Sequence, residues 1–235
     1  MLNSDLDLVF QHPPPPSFNP LPFKRITTFN IRATGTPGTA AFTTFQQNLH
    51  HLLTTSEIVL LQEVGSGKYL RQALPPGFSL TINPSTPTPA ARGKQIAGTA
   101  IVYSDTISTT HNISFPPPLL AAYIHNIVLT PKQINLPTIS VVNTYINNSS
   151  IEQQRLCIQF LNNMTQEEII LLGGDMNFVW TDDDTTSKLP ANQTQVRQDM
   201  LEVMAKLELE EVHQEAHTHV VNKGDRSNTS RLDHF

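Results

Sequence analysis

The sequence predicts an α/β fold, a mixed β-sheet system with helices on the outside, and three observations carry that prediction. A β-branched run, a helical stretch and a short apolar run follow one another over residues 25–61, the signature of a βαβ unit. Residues 78–145 then alternate strand-forming runs with proline-rich turns, in the manner of an antiparallel meander. Finally, Ile169-Ile170-Leu171-Leu172 is a continuous apolar run bounded by Gly173 and Gly174, which suits a strand buried on both faces.

The elements follow in order. Residues 1–23 contain the proline block Pro13-Pro14-Pro15-Pro16 and are expected to be an extended or disordered leader, with the folded domain spanning 24–235. Residues 25–31 make a first strand. Residues 39–54 make a helix with Phe42, Phe45, Leu49, Leu52 and Leu53 on one stripe, and Ile58 to Leu61 make a second strand ending in Gln62-Glu63. A right-handed crossover pairs these strands in parallel and brings Asn30 and Glu63 to one edge. Strands are expected over 98–103, 107–113, 123–129 and 138–145, with a surface loop over 83–93. Ser149-x-x-Glu152 is a capping box for a helix whose stripe is Cys157, Phe160, Leu161 and Met164. An acidic loop over 181–188 precedes a helix over 192–209 with Val196, Met200, Val203, Met204 and Leu207 inward. Residues 217–221 and 231–235 supply the closing strands.

Composition narrows the class. At 235 residues, 38% of them hydrophobic, the chain can bury the core of one globular domain. The formal net charge of -5 gives no global basic field, which counts mildly against a nucleic-acid substrate without deciding the matter. A single cysteine, Cys157, excludes an intramolecular disulfide and a cysteine zinc cluster, and its apolar neighbours make it a small core residue. Residues 1–10 lack the basic start of a signal peptide and no apolar run reaches membrane-spanning length. The expectation is an intracellular monomer, nuclear or cytoplasmic, without a membrane or protein partner. The Asn-x-Ser/Thr triplets at Asn112, Asn163 and Asn192 then have no bearing on function.

The chemistry gathers where strands end. The run 169–172 delivers Asp175 and Asn177 two residues apart, and both point the same way if the extended geometry persists. A carboxylate and a carboxamide held together suit the gripping of a water beside a phosphate; Gly-Gly-Asp and Asn are equally turn formers. Asn30, Glu63 and Tyr145 also stand at strand exits, with Asp233 near the C-terminal residue, Phe235.

Six segments in order then resemble the endonuclease/exonuclease/phosphatase superfamily, the DNase I-like enzymes: Thr28-Phe29-Asn30-Ile31, Leu60-Leu61-Gln62-Glu63, Gly98-Thr99-Ala100-Ile101, Asn143-Thr144-Tyr145, Gly174-Asp175-Met176-Asn177 and Ser230-Arg231-Leu232-Asp233. The resemblance implies a four-layered α/β sandwich, two mixed β-sheets flanked by helices, and metal-dependent phosphodiester hydrolysis. It assigns Mg²⁺, with Mn²⁺ as the alternative, to Glu63 and Asn30. Catalytic roles fall to Asp175 for the attacking water, Asn177 for its position or the phosphate's, Tyr145 for charge on the phosphoryl oxygens, and Asp233. Leu207-Glu208-Leu209, Thr218 and the Ser230 to Asp233 segment most resemble endonuclease domains of LINE-type retrotransposons, which implies DNA as substrate.

The chain departs from the family pattern in three places. Tyr145-Ile146-Asn147-Asn148 stands for Tyr-x-Pro-Asn, and Arg32 stands where many members carry a second polar group on the metal side. The family's final Ser-Asp-His strand has no counterpart before Phe235, so the expected fold lacks that strand and its histidine. His234 neighbours Asp233 and is expected to face away from it; His213, His217 and His219 are expected to be surface or packing residues. The expected consequence is impaired hydrolysis, with two alternatives: a phosphatase or phospholipid phosphodiesterase of the same superfamily, and a non-catalytic remnant.

Overall fold

A computed structural model describes residues 25–31, 35–85, 97–146, 151–164, 169–177, 191–210, 219–223, 226–230 and 233–234, with side chains as far as residue 210 except for 191–193. The leader, Arg32, the tip of the 83–93 loop, Ser149, the 181–188 loop, His213 and His217 lie outside the described residues.

Three apolar layers organise these elements around two sheets. The first sheet has the order β1 (Ile26–Asn30), β2 (Ile58–Gln62), β4 (Thr99–Ser104), β3 (Phe78–Asn83). Helix α1 (Ala40–Thr55) joins β1 to β2, which pair in parallel with Asn30 opposite Gln62, as the βαβ reading requires. Thr39 caps α1 by accepting from the Phe42 N–H, and the stripe Phe42, Phe45, Leu49, Leu52 and Leu53 is buried against the outer face of the sheet. A one-turn helix, α2 (Leu70–Ala73), packs into the same layer.

The second sheet has the order β11 (Asp233–His234), β8 (Ile169–Asp175), β7 (Ile139–Tyr145), β6 (Ile124–Pro131), β5 (His111–Ser114). Its outer face carries α4 (Ile151–Asn162) and α5 (Ala191–Lys206), around Val142, Cys157, Leu161, Leu172, Val196, Met200 and Val203. Burial pushes the Cys157 thiol up to about 12, so it stays a neutral core group. Between the sheets lies a third cluster including Ile26, Leu60, Ile101, Ile127 and Val141. These are two mixed sheets flanked by helices, the predicted architecture.

Three expectations need correcting. The strands of 78–145 pair antiparallel but do not form one meander: β3 and β4 belong to the first sheet, β5, β6 and β7 to the second. Residues 107–110 are a helical turn, α3 (Ile107–Thr110), rather than strand. The Ser104 hydroxyl accepts from the Thr106 N–H, and the Asp105 carbonyl accepts from the Ser108 N–H, so short polar side chains close a turn here. The helix predicted to reach 209 ends at Lys206, because Glu208 adopts a left-handed φ of 54° while the Leu209 N–H closes back on the Met204 carbonyl. At the closing end, β9 (His219–Lys223) and β10 (Arg226–Ser230) form a separate antiparallel hairpin.

Candidate active site

Moving along the inner faces of both sheets, the side chains change from apolar to polar. On β1 the sequence of inward residues is Ile26, Thr28, Asn30; on β2 it is Ile58, Leu60, Gln62; on β7 it is Ile139, Val141, Asn143, Tyr145. The polar end is where the candidate residues meet.

Asn30 is the hub. Its Nδ2 donates to Glu63 Oε1 at 2.9 Å and to Asp175 Oδ2 at 2.8 Å. Two carboxylates from different sheets, one of them 145 residues away in sequence, therefore converge on a single carboxamide. The Tyr145 phenol donates to the same Glu63 Oε1 at 3.2 Å. Burial first, and then the charges of Glu63 and Asp175, push the Tyr145 phenol far above its ordinary range, so it remains a protonated donor. Its ring is fully buried and stacks on Tyr123 at a centroid separation of 6.3 Å, and the Tyr123 hydroxyl accepts from Gln153 on α4.

Local backbone explains how these groups are presented. Glu63 follows β2 with a φ of 57°, a left-handed conformation that costs a non-glycine residue about 1–3 kcal/mol. The next two amides hold the turn: Val64 N–H donates to the Gly98 carbonyl and Gly65 N–H to the Ala97 carbonyl. Gly98 has a φ of 106°, and a Cβ there would sit 2.6 Å from the Gly65 carbonyl oxygen, so only glycine lets the two turns close.

Asp175 and Asn177 do not share a strand face as extended residues would. The strand ends at Asp175, Asn177 takes a φ of 52°, and its backbone N–H donates to Asp175 Oδ1 at 3.1 Å. The turn reading and the site reading thus coincide: the turn clamps the carboxylate, while both residues stay buried beside the site. Asp233 enters through backbone register, since β11 pairs antiparallel with β8 and sets Asp233 opposite Asp175 and His234 opposite Gly174.

A layer of buried carboxamides directly beneath the site was not singled out as functional from sequence. Gln62 and Asn143 have no exposed surface, and Gln62 Nε2 donates to Asn143 Oδ1 at 2.7 Å. The available signal was a polar residue on the inward face of an otherwise apolar strand.

Residues 27–235 match the profile of the Endonuclease/Exonuclease/phosphatase family. The chain belongs to this family. Among solved structures, the AP endonuclease LMAP from Leishmania major superposes with a TM-score of 0.58 at 15% identity, over 80% of this chain and 67% of that one. The endonuclease domain of TRAS1, a telomere-specific non-LTR retrotransposon, gives 0.55 at 16% identity, over 89% and 82%. D. rerio TDP2 complexed with single strand DNA product gives 0.51 at 12% identity, over 89% and 81%. Pairwise comparison with curated proteins gives no match. Like these folds, this family member sets its two sheets face to face, and the site lies where their polar ends meet.

The donor set fits a hard divalent cation. Glu63 and Asp175 are two carboxylates within reach of one amide, and a cation of this kind prefers oxygen ligands with water completing its shell. Among the described residues there is no group of three or more His, Cys, Asp or Glu placed to hold a metal ion. No helix among them is long and apolar enough to cross a membrane.

Proposed function

We propose that this family member is a metal-dependent phosphodiester hydrolase acting on DNA, of the retrotransposon endonuclease kind. The observation that carries the reading is the meeting of Glu63 and Asp175, from opposite sheets, on the Asn30 amide. The printed names of the three similar folds, an AP endonuclease, a retrotransposon endonuclease domain and a TDP2 bound to a DNA product, support a nucleic-acid substrate.

Mg²⁺, or Mn²⁺ in its place, would be held by Glu63 and Asn30 and would supply charge neutralisation at the phosphate. Asn30 keeps the two carboxylates apart and oriented, since its amide donates to both. Asp175 accepts from Asn30 on one oxygen and from the Asn177 N–H on the other, which orients its carboxylate to take the proton of an attacking water. Asn177 holds that carboxylate through its backbone and stands beside it to position the water or the phosphate. Tyr145, a permanent donor, places a hydroxyl where negative charge grows on the phosphoryl oxygens. Asp233, in register with Asp175, is assigned to the same cluster.

The test is nicking of supercoiled plasmid with Mg²⁺, comparing the chain with Glu63→Ala and Asp175→Ala. Each substitution is expected to lower the rate by about 10²-fold or more, and chelation to abolish it. Nicking that neither substitution changes overturns the site assignment. Hydrolysis of inositol phosphates or phospholipid head groups with none of DNA overturns the substrate.

A further inference from the structure

We propose that Asn143, working with Gln62, is a positioning residue: a carboxamide staple that locks one sheet to the other so that Glu63 meets Tyr145 and Asp175. The inference rests on the assignment of those three residues to the active site.

The hydrogen bonds of the staple account for every amide hydrogen in it. Gln62 Oε1 accepts from the Thr28 hydroxyl at 3.0 Å, and Gln62 Nε2 donates to the Leu60 carbonyl at 3.1 Å and to Asn143 Oδ1 at 2.7 Å. Asn143 Nδ2 donates to the Leu61 carbonyl at 2.9 Å and to the Ala100 carbonyl at 2.8 Å. Each NH₂ group thus spends both hydrogens and each amide oxygen accepts one, with both side chains out of reach of water. One residue of the second sheet is thereby tied to two strands of the first, β2 and β4, while Thr28 brings in β1.

Position gives the staple its meaning. Gln62 immediately precedes Glu63. Asn143 lies two residues before Tyr145 on β7, so both face the same way, and its partner on β8 is Gly173, two residues before Asp175. The staple therefore sits one pleat below the line along which the acidic and phenolic groups meet. Beneath it the sheets meet largely through apolar side chains such as Leu60, Ile101, Ile127 and Val141, whose attraction has no directional component, with the Thr81–His125 contact joining β3 to β6. Hydrogen bonds are directional, so the staple resists a slide of β7 over β2 and β4, as the Thr81–His125 and Asn83 bonds do on the β3–β6 side. A displacement near 1 Å is enough to disable a hydrolytic site.

A stabilising core residue and a positioning residue differ in what their loss changes. The experiment uses the whole chain with Gln62→Met and Asn143→Asp, and Val141→Ala as a core control from the same face of β7, all at a temperature where circular dichroism shows each folded. Three quantities are read: hydrogen exchange at the Val64 and Gly65 amides, Mn²⁺ affinity by calorimetry, and kcat and KM for plasmid nicking. Both staple variants are expected to exchange at least about tenfold faster at those amides. They are also expected to bind Mn²⁺ about 10–100-fold more weakly and to lose kcat with little change in KM. Val141→Ala should lower Tm and leave all three unchanged. Exchange and Mn²⁺ affinity that match the unsubstituted chain overturn the staple, as does a Val141→Ala variant that loses as much. An unsubstituted chain that neither binds Mn²⁺ nor nicks DNA instead overturns the hydrolase reading, and exchange at Val64 and Gly65 then decides the staple by itself.

Discussion

Tyr145 shows how one side chain can be committed to a single protonation state. Burial is the leading cause of its upward shift, and the nearby Glu63 and Asp175 charges add to it. Its phenol cannot serve as a base at working pH, and its part is to donate. Tyr145→Phe keeps the buried ring and its stacking on Tyr123 while removing the hydrogen bond to Glu63. The expected outcome is hydrolysis slowed about 10–10²-fold with a pH-rate profile of unchanged shape, measured by plasmid nicking from pH 6 to 9. A profile that loses an alkaline limb in the variant would show that Tyr145 titrates after all. At this scale the sequence was informative about which residues, and less so about how. Asn30, Glu63, Tyr145 and Asp175 were each visible as polar groups at strand exits, and they do meet. The left-handed φ at Asn177 agrees with the turn-forming character of Gly-Gly-Asp and Asn, whereas the one at Glu63 was not visible, because glutamate does not require that conformation. It is imposed by partners distant in sequence, such as Gly98.

Among the elements, β8 carries the tightest constraint. Gly174 has a φ of 139°, and a Cβ on it would lie 2.0 Å from the Thr144 carbonyl oxygen on the paired strand β7. The strand can deliver Asp175 only because this position has no side chain. Gly174→Ala is expected to destabilise the protein by at least about 3 kcal/mol, since it combines a disfavoured backbone with a clash against main chain that cannot rotate away. Urea unfolding followed by circular dichroism measures this, and a loss below about 1 kcal/mol would mean that β7 and β8 separate more easily than their pairing implies. Elements with strong periodicity were legible: α1 and α5 bury the stripes their spacing predicts. Elements held by local polar bonds or by pairing alone were not. The turn at Ile107 comes from Ser104 and Asp105, and β10 reads Arg-Ser-Asn-Thr-Ser, with no apolar alternation to mark a strand.

For the whole molecule, the division of the 78–145 strands between two sheets was beyond sequence reasoning, since alternation reports burial of a face and not which sheet shares it. That division creates a polar stratum across the sandwich, and at its far end lies His125, which pairs with Asn143 on β7. His125 is 2% exposed; its Nε2 lies 3.2 Å from the Thr81 hydroxyl, and its Nδ1 has no hydrogen-bond partner. A neutral ring with its proton on Nε2 leaves only a lone pair at Nδ1, whereas a cationic ring would bury an unpaired N–H. Burial accordingly lowers this imidazole from 6.5 to about 4. The unfolded chain takes up a proton near pH 6.5 and the folded chain does not until about pH 4, so the unfolded state binds more protons across that window. Folding stability must therefore fall as pH drops from 6.5 towards 4, by up to about 1.4 kcal/mol per pH unit from this group. His125→Gln removes the titration while keeping an amide that can reach Thr81. Urea unfolding of both proteins at intervals between pH 7 and 4 should give a stability difference that shifts in favour of the variant as pH falls, by about 3 kcal/mol over the window. A difference that stays constant with pH would mean that His125 takes up its proton in the folded state as readily as in the unfolded chain, and that the stratum beneath the candidate site is open to water.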